Sequence, residues 1–156
     1  MPLNPWITNS FLDTCAFDPK YAPEEEAANE IFRLHRESGL GIMLAHSNQK
    51  EIEHPNTPKW VKSEAAGQIY TVEVQRTANE DAIKQRILEI ITGTGRPVNM
   101  RHDAEHIYEA QKYGSYFVTT DSRLLNKARK LDGFCGVNVL LPSQFLEIVA
   151  QNKRPE

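Results

Sequence analysis

HDAEHIYEAQKYGSYFVTTDSRLL, residues 102–125, changes its apolar period twice. Ile107 and Ala110 follow Asp103 at i+4 and i+7, the spacing of one helical face. Gly114 stops that pattern, and SYFVT (115–119) is a short continuous apolar run of the kind a fully buried strand shows. Asp121 then opens a second helical segment running to about Lys130. Helix, buried strand and helix in this order are the repeating unit of a parallel sheet covered on both faces.

The same alternation extends outward in both directions. Upstream, SFLDT (10–14) reads as a buried strand. Pro23 opens a helix with Glu24, Glu25 and Glu26 near its positive end, and Gly39 stops it. Leu40 to Ala45 is a second buried strand, after which Ser47 or Asn48 caps a helix carrying Glu51. Thr57-Pro58 begins another helix, with Trp60 and Val61 on its inner face and a stop at Gly67. IYTVEV (69–74) alternates like a half-exposed strand or hairpin arm; Tyr70, Val72 and Val74 can pack on the core, pair across a homodimer or touch substrate. Asn79 is the expected cap of a helix through Ile83, Ile87, Ile90 and Ile91 that ends at Gly93. GTGRP (93–97) reads as a turn, since its glycines lack the context of a phosphate-cradling loop. A helix over about 99–113, the 102–125 stretch, VNVLL (137–141) and a helix after Pro142 complete the chain. The expectation is one α/β domain over 1–156, a Rossmann-like parallel sheet flanked by helices.

Composition agrees. A chain of 17.8 kDa exposes roughly 8,000 Å² when folded against about 26,000 Å² extended, enough burial for a core without staples. With 40% hydrophobic residues and a net charge of −3, the chain falls outside the disordered class. Cys15 and Cys135 are too few for a disulfide framework and suit a reducing compartment. The longest apolar stretch, 39–45, is far too short to span a bilayer, and MPLNPWITN lacks the basic and apolar regions of a signal peptide. A soluble, cytoplasmic protein with no membrane partner is expected.

In open α/β sheets ligands bind beyond the carboxyl ends of the strands. Asp13 stands at the end of the first strand, Asp121 just past the third, Glu51 in the helix after the second, and Asp103 in the first turns of the helix leading to the third. Brought to one edge, these carboxylates would repel one another unless a hard divalent cation neutralised them. Mg²⁺ or Mn²⁺ held by Asp13, Glu51, Asp103 and Asp121 is the apparatus of metal-assisted phosphodiester hydrolysis.

FLDTCAF (11–17), the helix with KEIEH (50–54), and HDAEHIYEAQKYGSYFVTTDSRLL together resemble the PIN-domain ribonucleases, the family that includes VapC-type toxins. The resemblance covers about 10–146. It implies a PIN-like fold, an endoribonuclease activity on RNA, and a Mg²⁺ or Mn²⁺ site of three or four acids. Asp13, Glu51, Asp103 and Asp121 match those places, with Thr120 in the polar position beside the last. Glu53 competes with Glu51 for the second place, and Glu51 is preferred because Ile52 follows it directly. Cys15 stands where many relatives carry Asn or Ser. The family also implies either a toxin held by a small antitoxin protein or a free-standing RNA-processing enzyme. A PIN-like scaffold serving as a non-catalytic RNA- or protein-binding module is the alternative of another class.

Two further motifs compete. His102 and His106 sit at i and i+4, like the paired imidazoles of a zinc peptidase, but Asp103 replaces the glutamate that motif needs. Both histidines are therefore expected to face solvent, and an HD-type phosphohydrolase would require an all-helical fold. Arg123, Lys127, Arg129 and Lys130 form a basic cluster, either a solvated helix face or a means of steering phosphate; Arg123, nearest the acids, supports the site or pairs with a carboxylate.

Overall fold

In the computed structural model, residues 3–45, 47, 52–66 and 75–155 and the backbone of 69–70 are described. The strands are β1 (Ser10–Leu12), β2 (Ile42–Leu44), β3 (Ile69–Tyr70), β4 (Tyr116–Val118) and β5 (Asn138–Leu140). They form a parallel sheet in the order β3-β2-β1-β4-β5. The helices are α1 (Glu24–Ser38), α2 (Lys59–Ala66), α3 (Ala78–Thr92), α4 (Arg101–Tyr113), α5 (Ser122–Leu125), α6 (Ala128–Cys135) and α7 (Pro142–Gln151).

The pleat divides each strand between two cores. Leu12, Ile42, Leu44, Tyr116, Val118 and Leu140 face one side, where α1, α2 and α7 supply Ile31, Phe32, Val61, Phe145 and Val149. Phe11, Phe117 and Val139 face the other, against Ile87 and Ile91 of α3, Ile107 and Ala110 of α4, Leu124 and Leu131. Both faces are thus covered, which is why every residue of β1 and β4 is buried. Gly114 permits the close approach of β4 to β1: a Cβ there would stand 2.3 Å from the Asn9 carbonyl oxygen.

Several local expectations shift. Thr77, not Asn79, caps α3, in a capping box where the Thr77 hydroxyl accepts from Glu80 N–H and the Glu80 carboxylate accepts from Thr77 N–H. Trp60 is half-exposed rather than inward, because α2 is anchored through Val61 and Ala65 at i and i+4, and Trp60 lies off that stripe. The segment after Asp121 is two helices, α5 and α6, with Asn126 and Lys127 between them. IYTVEV contributes a parallel edge strand at Ile69–Tyr70 rather than a hairpin arm; Val72 and Val74 lie outside the described residues, as do Asn48 and Gly67. No helix among the described residues is long and apolar enough to cross a membrane.

The sheet order places the functional edge. From β1 the chain proceeds outward through β2 to β3, then crosses back to β4 on the other side of β1. The order therefore reverses between β1 and β4, and a crevice opens beyond their carboxyl ends.

Candidate functional site: a carboxylate cluster at the strand switch point

The parallel register pairs Leu12 with Val118, and the Asp13 N–H donates to the Val118 carbonyl at 2.9 Å. The next residues, Asp13 and Thr119, are therefore neighbours at the crevice. Asp13 is buried, and its side chain is held by donors from both strands' ends. Oδ1 accepts from the Thr14 N–H at 2.9 Å, and Oδ2 accepts from the Thr119 hydroxyl at 2.9 Å. Thr119 Oγ1 also accepts the Asp121 N–H at 3.0 Å, so one buried hydroxyl ties two of the carboxylate-bearing segments together.

Cys15 joins this network. The residue is exposed, but its Sγ turns inward, 3.2 Å from Thr119 Oγ1 and 3.5 Å from Asp13 Oδ2. Burial of the sulfur and the Asp13 charge push the thiol up to about 11, so it stays protonated and can donate. Thr120, expected as the polar neighbour of Asp121, instead donates its hydroxyl to the Cys15 carbonyl at 3.3 Å. The supporting hydroxyl is Thr119. Sequence reasoning missed it because the two threonines are adjacent, and only the strand's end decides which one turns inward.

Asp121 is the N-cap of α5. Its Oδ1 accepts from the Arg123 N–H at 2.9 Å and from Arg123 Nε at 3.1 Å, while Oδ2 accepts from the guanidinium at 2.7 Å. This two-pronged contact holds the Asp121 carboxyl below its usual range. The same guanidinium lies 3.6 Å from Asp103 Oδ2. Asp103, in the first turn of α4, is largely shielded from solvent. Burial first, then the charge of Asp13 and less strongly that of Asp121, raise its carboxyl to about 6 against the opposing influence of His106 and Arg123. Arg123 satisfies Asp121 and leaves Asp103 with residual repulsion.

Three of the four expected acids thus meet at one edge: Asp13, Asp103 and Asp121. Glu51 lies outside the described residues, and Glu53 is exposed. Of the basic cluster, Arg123 alone touches the acids among the described residues. Lys127 turns its ammonium onto the Gly93 turn, where a Cβ would come within 3.1 Å of Nζ; Arg129 and Lys130 are exposed on α6.

The histidines correct the sequence reading most sharply. His102 is exposed, but His106 is 1% exposed, on the same inward side of α4 as Ile107 and Ala110. Among the described residues neither ring nitrogen of His106 has a hydrogen-bond partner, and Nδ1 lies 3.9 Å from Asp13 Oδ1. One imidazole in solvent and one in the core do not form the paired zinc site of a peptidase.

Among the described residues no three His, Cys, Asp or Glu side chains close on a common point that could hold an ion. Arg123 stands between Asp103 and Asp121 and provides the positive charge the cluster needs. The three acids offer carboxylate oxygens, beside the Cys15 sulfur and the His106 ring that flank Asp13. A cavity of about 410 Å³ opens one residue from Asp13, walled by Thr14, Phe17, Ile52, Val61 and Pro58 with Asn56 at its rim. None of the three acids lines that cavity, nor the one of about 560 Å³ between α3 and α4, which mixes Lys84, Arg101, Asp81 and Glu105. Compared with known proteins, the chain matches no family model, no curated protein and no solved structure.

Proposed function

We propose that this protein is a Mg²⁺- or Mn²⁺-dependent endoribonuclease of PIN-like design, with Asp13, Asp103 and Asp121 holding the cation and Glu51 as the fourth acid. The observation that carries the reading is the meeting of three carboxylates, from β1, α4 and the end of β4, at the switch point of a parallel sheet. Isolated surface acids do not raise one another's pKa; Asp103 reaches about 6 partly because Asp13 and Asp121 face it.

A divalent cation bound there supplies Lewis-acid activation of water and of the phosphoryl group. The chain's own part is to hold the donors. Thr119 and the Thr14 amide fix both oxygens of Asp13, so the carboxylate loses little freedom on binding. Arg123, exposed and tethered through Asp121, would be the side chain at this edge able to contact a phosphate oxygen, while Asp13, Asp103 and Asp121 would hold the cation. The cavity beside Thr14 offers an apolar floor and a polar rim for the nucleotide next to the scissile phosphate.

One observation favours a second reading. Arg123 already neutralises Asp121 and reaches Asp103, as a scaffold that binds RNA or protein without cleaving would require. Incubating labelled single-stranded RNAs with the protein and Mn²⁺ or Mg²⁺ separates the two. Cleavage to 5′-phosphate ends, abolished by chelator and by Asp13→Asn, is expected. RNA bound without cleavage, under every metal tried, would establish the binding module.

A further inference from the structure

We infer that the cavity beside Thr14 is a pyrimidine subsite for the RNA, in which His54 and Asn56 read the edge of the base. The inference rests on the RNA reading above and needs no cation. The cavity, of about 410 Å³, has the size of a small-molecule site, and Ile52, Pro58 and Val61 give it apolar walls that suit the flat face of a base. Among the described residues no Lys or Arg lines it, and its one carboxylate, Asp18, lies 3.9 Å from the Lys20 ammonium. An uncharged ring fits such a lining better than a phosphate does. Thr14, which follows Asp13 directly, joins the cavity to the carboxylate edge.

A short turn fixes the donor pattern at the rim. The Thr57 N–H donates to the His54 carbonyl at 3.0 Å, and the Asn56 N–H donates to His54 Nδ1 at 3.1 Å. Nδ1 is therefore the acceptor of the ring, which places the proton of the neutral imidazole on Nε2. Nε2 and the Asn56 side-chain amide have no partner among the described residues, and both side chains are exposed. The rim thus offers one fixed donor and, beside it, an amide that can turn its carbonyl and its NH₂ in either sense. Both pyrimidines match this set. Their shared O2 accepts from Nε2–H. The amide then accepts from N3–H of uracil and donates to O4, or, flipped, donates to N3 of cytosine and accepts from its amino group. Neither purine completes three bonds. Guanine follows its O6 acceptor with two donors, which one amide cannot match, and adenine offers only two adjacent polar groups on any edge.

Fluorescence anisotropy with short labelled homo-oligomers of uridine, cytidine and adenosine, in EDTA to prevent cleavage, tests the inference. The two pyrimidine oligomers should bind about fivefold more tightly than the adenosine oligomer, the worth of one hydrogen bond. Asn56→Leu keeps the size and removes the amide, so the ratio should fall close to one. Methylating N3 of uridine should weaken wild-type binding by at least the same factor and that of Asn56→Leu far less. His54→Phe, which removes the donor to O2, should weaken uridine and cytidine binding alike. Equal binding of the three oligomers, a pyrimidine preference that survives Asn56→Leu, or wild-type binding of both pyrimidines by His54→Phe overturns the inference and leaves RNA binding standing. Binding of none of the oligomers removes the RNA reading, and this inference with it. If a variant fails to fold, indifference of the wild-type protein to N3-methylation overturns the inference by itself.

Discussion

Thr119 donates its hydroxyl to Asp13 at 2.9 Å, joining the ends of two neighbouring parallel strands through a buried side-chain bond. That single contact places the first carboxylate over the switch point of the sheet. It also links Asp13 to Asp121, whose N–H donates to the same Thr119 oxygen.

Thr119→Val tests this link. The substitution keeps the shape but removes the donor, leaving Asp13 Oδ2 short of a partner in a buried site. A loss of about 1–3 kcal/mol in urea unfolding is expected, together with weaker Mn²⁺-induced stabilisation. Thr120→Val, whose hydroxyl donates to the Cys15 carbonyl, should change metal binding far less. Equal effects at the two positions would deny Thr119 its particular role.

Asp103→Asn should stabilise the metal-free protein at neutral pH while abolishing RNA cleavage. The folded-state carboxyl titrates near 6, against 3.8 for the ordinary group. Between those values the folded state binds more protons than the unfolded, so this group's destabilising effect is fully present above about pH 6. It is relieved as pH falls through 6 toward 4. Melting temperature should therefore rise by about 2–4 °C for each kcal/mol of repulsion removed. The gain should be larger at pH 7.5 than at pH 5. A pH-independent difference between the two proteins would contradict the assignment.

Arg123→Ala removes the resident positive charge. Asp121 loses its two-pronged partner and Asp103 its nearest cation, so the metal-free protein should melt lower than wild type. Mn²⁺, no longer competing with a guanidinium, should then raise the melting temperature by more than it does in wild type. If Arg123 also touches RNA, the salt slope of single-strand binding should fall by roughly 0.7. Filter binding in calcium at several salt concentrations reads that slope.

Gly114→Ala addresses the fold rather than the site. Its Cβ would stand 2.3 Å from the Asn9 carbonyl oxygen, a backbone atom that cannot rotate away. A loss of about 1–3 kcal/mol is expected, since β4 must move away from β1. Because those strands carry Thr119 and Asp13, Mn²⁺ binding should weaken in parallel. A fully stable variant would show that the two strands can separate at no cost.

The sequence by itself determined the layers. Adjacent apolar residues at Phe11–Leu12 and Tyr116–Val118, between segments of helical period, are buried together only in a sheet covered on both faces. The period of α4 likewise drew Asp103 toward the edge, because Ile107 and Ala110 had to face the core. Sequence could not order the strands, for the crossover that puts β4 beside β1 depends on packing between residues far apart in the chain. Only the register that follows made Thr119, not Thr120, the partner of Asp13. The same tertiary packing turned His106 inward while its i−4 neighbour His102 stayed in solvent. Met100 and Ala104, on either side of His102, are both buried, so the packing around α4 and not distance from the helix end leaves His102 wet and His106 dry. Spacing along a helix defines a face; the elements packed against that face decide which of its side chains are dry.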